Sequence, residues 1–404
     1  VTTENNDALE EFSLIGEEIE SVGEEEDSDL EGISEVDFAE TSLAPTDWTV
    51  ETILSQLRDT ALDLNPDFQR RDAWTIPRKS KFIESLMLGL PVPQLVLAEE
   101  DPDDATYIVI DGKQRLLTLE KFFDGVNGFK LSGLTALEHL NGLTCTQLAE
   151  DPANKKYVRR LKNRTIRTVV IRKWPNNSFL HLVFHRLNHQ TLPLSPQELR
   201  QALSPGKFTT FADRHAATSR QVNSLLGVSN KADFRMRDVE LLVRFIGFKL
   251  LLPNYSGNLK KFLDETCDQL NSEWARRSGE IEAAAASCDE AIDATREIFG
   301  ADAFHRYSPG GYEKRFNRTV FDIMSFYFSE PEITKAALAK RVAVKSEFQR
   351  LSTEDSSFAE ALKSTTKTLD ATSRRFHVWG DALNNVLGLR FPVPYLDGKR
   401  ISYP

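Results

Sequence analysis

The residues best able to do chemistry in this chain lie together: Asp111, Gly112, Lys113, Gln114 and Arg115. A carboxylate, a permissive glycine, an amide and two cations within five positions can grip a phosphate and a divalent metal together. Tyr107 to Ile110 alternate aromatic and β-branched types and read as a short strand, whereas Leu116, Leu117, Leu119, Phe122 and Phe123 recur at helical spacing. Asp111 and Gly112 therefore make a turn between strand and helix, and Lys113 to Arg115 fall in the first helical turn. Four backbone N–H groups lack intrahelical partners there and the dipole is positive, so an anion is favoured and a cation is not. Two cations set against that dipole imply an external negative partner, most simply a phosphate. The competing reading is a solvated turn, because Asp-Gly is common in turns and Lys and Arg usually face water.

IDGKQRLLTL, Ile110 to Leu119, closely resembles the Asp-Gly-Gln-Gln-Arg signature of a large prokaryotic family with a ParB/sulfiredoxin-like nucleotide-binding fold. That family is typified by the nucleotide-dependent component of modification-dependent restriction enzymes. The order of blocks agrees as well: Phe68-Gln69-Arg70 in a turn, Trp74, a helix, Leu90-Pro91-Val92-Pro93 leading to a strand, a variable acidic loop from Glu99 to Thr106, then the signature. A second block resembles the family at Phe184, Arg186, Leu187 and Asn188, followed by Leu194-Ser195 and Gln197-Glu198-Leu199-Arg200. Lys113 departs from the pattern, standing where the family usually has Gln.

The resemblance implies a nucleoside triphosphate and Mg²⁺ as ligands. It places Gln69, Arg70, Gly112, Lys113, Arg115 and Asn188 around the nucleotide, Asp111 on the metal or on the attacking water, and Gln114 beside Asp111 in catalysis. It implies triphosphate binding and hydrolysis coupled to DNA sensing or nuclease control in a prokaryotic defence system, with DNA and a separate nuclease or defence subunit as partners. Two alternatives stay open. One is a non-catalytic regulator that binds DNA or protein through a degenerate nucleotide pocket, and the other is a metal-dependent DNA nuclease. A His-Asn-His nuclease module is not expected after residue 250, where His305 and Asn317 stand without suitable neighbours. The enzymatic account fails if Asp111 and Arg115 are sealed in an internal ion pair with no open cavity beside them.

The elements that must hold this site can be read around it. A chain of 404 residues, 40% hydrophobic, has room for two to three domains with real cores. The expected class is α+β: a small mixed-sheet N-terminal domain over 46–175, ParB/sulfiredoxin-like by resemblance, then a mainly α-helical domain over 176–404. Residues 1–45 carry 16 acids and no Lys or Arg, which reads as an acidic disordered tail. The rest holds 45 acids against 50 bases, so a net charge of −11 conceals a mildly basic body. No apolar run is long enough to span a bilayer and the first residues are acidic, so a soluble cytoplasmic protein is expected. Cys145, Cys267 and Cys288 are far apart, without a paired motif, and read as ordinary buried thiols.

Within the first domain, helical rhythm is expected from Asp47 through Leu57, a second helix after Pro77 closed by Gly89, and a strand over Gln94 to Ala98. KKYVRRLKNR, Lys155 to Arg164, interleaves Tyr157 and Val158 with cations, as backbone contacts to nucleic acid would require; a solvated helix face is the plainer reading. Thr165 to Trp174 reads as a strand closing the sheet. His181, His185 and His189 share helical spacing, yet they lack the glutamate of a metalloprotease motif and are left out of the site. Beyond them, Phe234 to Leu252 reads as a buried central helix, and LKKFLDETCDQLNSEW and EIEAAAASCDEAIDATREIFG as further amphipathic helices. Gly310-Gly311 is expected to be a loop between helices, one last helix to run from about Ser356 to Leu387, and the final residues to be extended.

Overall fold

The structure, a computed structural model, describes residues 41–62, 74–101, 103–176, 179–180, 183, 195–226, 233, 235–363 and 367–404. Two compact units divide them near residue 195, with 201–203 counted to the first. As a class, the fold is α+β: a small mixed sheet followed by a mostly helical region.

In the first unit, β1 (Ser42–Thr49) leads into α1 (Val50–Arg58), and α2 (Ile76–Leu88) precedes β2 (Leu95–Asp101) and β3 (Thr106–Asp111). α3 (Lys113–Phe123), α4 (Cys145–Glu150), α5 (Lys155–Lys162) and β4 (Thr165–Arg172) follow. The sheet order is β1-β4-β2-β3: β4 runs antiparallel to β1 and parallel to β2, and β2 pairs antiparallel with β3. Thus β4 lies inside the sheet, and β1 supplies the outer strand that the sequence hides behind Pro45, Thr46 and Asp47. Trp48 belongs to this strand and not to a helix. The helix starts two residues later, where the Thr49 hydroxyl accepts the Thr52 N–H at 3.0 Å.

Leu95 to Ala98 are all buried, as expected of a central strand covered on both faces. Leu95, Leu97, Val109, Ile166 and Val170 share a core with Ile53 of α1, Ile83 and Leu86 of α2, Leu116 and Phe122 of α3, and Leu161 of α5. A charged group anchors the loop after α3. Glu84, buried on α2, accepts the N–H groups of Thr135, Ala136 and Leu137 at 3.0, 2.7 and 2.8 Å. Burial works to raise its carboxyl, but these amides outweigh it and hold the group below the usual carboxylate range.

The second unit begins with α6 (Pro196–Leu203), α7 (Lys207–Thr218) and α8 (Arg220–Leu225), then α9 (Arg237–Leu251), which is buried along most of its length as expected. α10 is a single helix of 41 residues, Leu259–Phe299, where the sequence suggested separate pieces; Gly279 sits in its interior without breaking it. Gly310-Gly311 is a hairpin and not a link between helices: β5 (His305–Ser308) pairs antiparallel with β6 (Gly311–Phe316). α11 (Arg318–Phe328), α12 (Pro331–Ala339) and α13 (Arg341–Glu354) follow. The expected last helix is two, α14 (Ser356–Ala361) and α15 (Leu369–Leu387), and the extended end is a hairpin of β7 (Tyr395–Asp397) and β8 (Arg400–Ser402). Inside this unit Arg244 grips Asp322 with two donors, its Nη2 at 2.7 Å from Oδ2, and Arg375 reaches the same oxygen at 3.2 Å. Cys145, Cys267 and Cys288 are free and buried, and burial pushes the Cys145 thiol up to about 11. Among the described residues no helix is long and apolar enough to cross a membrane.

Candidate functional site

β3 ends at Asp111, whose backbone pairs with Val96 beside an irregularity in the ladder. Gly112 then takes φ +112°, a left-handed value. A Cβ at this residue would also stand 2.2 Å from Cδ2 of Leu95, so a larger residue would both strain the backbone angle and displace that side chain. α3 starts at once, with Leu116 donating to the Gly112 carbonyl at 3.0 Å. The first turn has neither a side-chain cap nor an acidic residue. A first turn of this kind is where an oxyanion can bind.

The side chains of this turn are mostly buried. Lys113 and Arg115 are each 7% exposed. The Arg115 Nη2 donates to the Asp111 carboxylate at 2.9 Å and to the Gln94 carbonyl at 3.0 Å. The ion pair named as a threat to the enzymatic account thus exists. It is not closed on both sides, because the Asp111 side chain keeps 29% of its surface while that of Arg115 keeps 8%. Two polar atoms remain without partners although buried: Arg115 Nε and Gln114 Oε1. Such groups are costly unless something satisfies them, and a half-turn of the Gln114 amide would present donors at the same place.

Five of the expected site residues, Asp111, Gly112, Lys113, Gln114 and Arg115, thus occupy one strand-to-helix turn. Gln69, Arg70 and Asn188 lie outside the described residues, as do Arg71, His181, His185 and His189. Among the described residues no three His, Cys, Asp or Glu side chains gather as a metal cage. Asp111 alone suits Mg²⁺ held by one carboxylate together with substrate phosphates, which is a common arrangement for that ion. Two participants escape sequence reasoning. The Gln94 carbonyl that braces Arg115 is a backbone group with no signature, and Leu95 acts only through its proximity to Gly112.

Residues 50–204 match the family model described as GmrSD restriction endonuclease, N-terminal domain. The match spans less than half of the chain and takes in the whole turn from Asp111 to Arg115. This part of the molecule is therefore similar to the N-terminal domain of a restriction endonuclease. No curated protein and no solved structure matches the chain.

Proposed function

We propose that the chain is the nucleotide-responsive component of a prokaryotic restriction system, binding a nucleoside triphosphate at the first turn of α3 and hydrolysing it under the control of DNA. One observation carries the reading. The turn has no side-chain cap and no acid, carries two cations, and holds two buried polar atoms, Arg115 Nε and Gln114 Oε1, that have no hydrogen bond, a combination that an oxyanion with its metal would satisfy. The amides of Gly112 and Lys113 with the Lys113 and Gln114 side chains would bind the phosphates. Arg115 is a positioning residue in the absence of ligand, holding Asp111 and strand β2 in register, and its unused Nε is the donor it offers to phosphate. Asp111 would take the metal through its solvent-facing side, and the metal would screen charge on the transferred phosphoryl group.

A second reading is supported by the same ion pair. A guanidinium engaged by Asp111 cannot also fork onto two phosphate oxygens, so binding without turnover, in a regulator, follows if the pair persists with ligand bound. Thermal shift with each of the four triphosphates and Mg²⁺ tests binding, and phosphate release with and without duplex DNA tests turnover. Stabilisation by at least one triphosphate is expected, lost in Gln114→Ala, whose Oε1 has no hydrogen bond to lose. Asp111→Ala is expected to keep the shift and abolish release. No shift with any triphosphate, or a full shift in Gln114→Ala and Arg115→Ala alike, ends the assignment.

A further inference from the structure

α5 is a short helix with an unusual distribution of charge. Its eight residues, KKYVRRLK, include five cations and no acid. At 100° per residue these cations fall within an arc of roughly 160°, while Val158 and Leu161 are buried on the opposite side. A solvated helix face ordinarily mixes signs and ties its cations into i,i+4 pairs. Here only Lys162 finds a carboxylate, Glu51 at 3.1 Å. Lys155, Lys156, Arg159 and Arg160 are exposed and, among the described residues, none of the four is ion-paired. Two of them occupy the first turn, against the helix dipole.

The face is shaped as well as charged. Beside it, α2 and α5 enclose a cleft of about 430 Å³ with Met87, Leu88 and Gly89 on one wall and Arg159, Arg160 and Arg164 on the other. Arg164 is fixed there, its Nη2 donating to the Gly89 carbonyl at the end of α2. Gly89 has φ +82°, and a Cβ on it would meet Arg164 Nη1 at 3.2 Å, so the wall has little slack.

We infer that this face of α5, with the cleft beside it, is a docking surface for the sugar–phosphate backbone of duplex DNA. The inference rests on the restriction-system reading for its choice of DNA, and on the charge arc for its location. Duplex is favoured over single-stranded nucleic acid because strand binders stack bases on exposed rings, and the one ring on this helix, Tyr157, is half-buried and packs against His139 with Lys156 above it. Contacts from these cations to phosphate carry no sequence information, so binding through them should be insensitive to sequence and steeply dependent on salt.

The test is fluorescence anisotropy of the full chain with a labelled 20-base-pair duplex across a salt series, comparing wild type with Lys156→Ala/Arg160→Ala. Both positions are exposed, so the fold should be untouched, and circular dichroism checks this. The variant should bind at least tenfold more weakly at low salt. Its log–log salt slope should be shallower by about two, near 0.9 for each phosphate contact removed. Identical affinity and slope in wild type and variant overturn the inference, and so does equal affinity of wild type for a single strand or for poly-glutamate. Stabilisation by triphosphate is read on the same two proteins and should not differ between them. If neither shows it, the nucleotide assignment fails while the α5 surface still stands or falls on the slope.

Discussion

Two Arg–Asp pairs, one in each unit, show how the same chemistry serves different ends. Arg244 and Asp322 have no exposed side-chain surface, the pair is bidentate, and Arg375 supplies a third point of contact. Arg115 and Asp111 are joined by one nitrogen, the carboxylate opens to solvent, and the Arg115 Nε is unsatisfied. Removing one member of a fully buried pair strands the other charge in a medium that cannot solvate it. An ion pair with an open side instead exchanges partners at modest cost, which is what a ligand site needs. Burial of the carboxylate, and not the identity of the residues, separates the scaffold from the candidate site.

The sharpest way to break this contrast is a pair of alanine substitutions. Asp322→Ala should cost about 3–5 kcal/mol, whereas Asp111→Ala should cost less, about 1–2 kcal/mol, because Arg115 keeps its bond to the Gln94 carbonyl. Urea titration followed by circular dichroism measures both, and comparable losses would show that the two pairs do the same job. Gly112→Ala comes next, at about 2–3 kcal/mol, since it combines a left-handed backbone angle with a Cβ pressed on Leu95. It should also abolish the triphosphate-induced shift; a stable Gly112→Ala that still responds would place the anion elsewhere. Glu84→Ala should cost about 2 kcal/mol from lost charge-assisted hydrogen bonds. Because the folded carboxyl lies below its ordinary value, its contribution is complete above the unfolded pKa of about 4.3 and disappears as pH falls through the lower folded value. The stability difference between wild type and Glu84→Ala should therefore shrink on acidification, and a difference that stays constant from pH 7 to pH 3 would exclude that carboxylate as its source.

Much of the first unit was legible because its periodicities are local. Tyr107 to Ile110 alternate, Leu116 to Phe122 follow helical spacing, and Gly112 marks the change between them, so strand, turn and helix stand where the pattern put them. The α+β class and the buried Arg237–Leu251 helix were legible for the same reason. What was not legible depends on partners distant in sequence. β1 has Pro45, Thr46 and Asp47 in its middle and is a strand only because β4 pairs with it from Thr165 to Arg172. At Gly310-Gly311 a hairpin signal was present in the Pro-Gly-Gly turn between Tyr307 and Tyr312, but the surrounding helical texture masked it. The turn's residues could be named from sequence, while the engagement of Arg115 by Asp111 and Gln94 could not, since it requires β2 and β3 to be neighbours.

The double duty of the Arg115 Nη2 has a mechanical consequence. One nitrogen latches the last residue of β3 to the carbonyl that precedes β2. Anything that draws the guanidinium toward itself must release that carbonyl, so occupancy at the turn would be transmitted to the start of a central strand. Amide hydrogen exchange at Leu95 and Val96 would then act as a built-in gauge of whether the latch is shut.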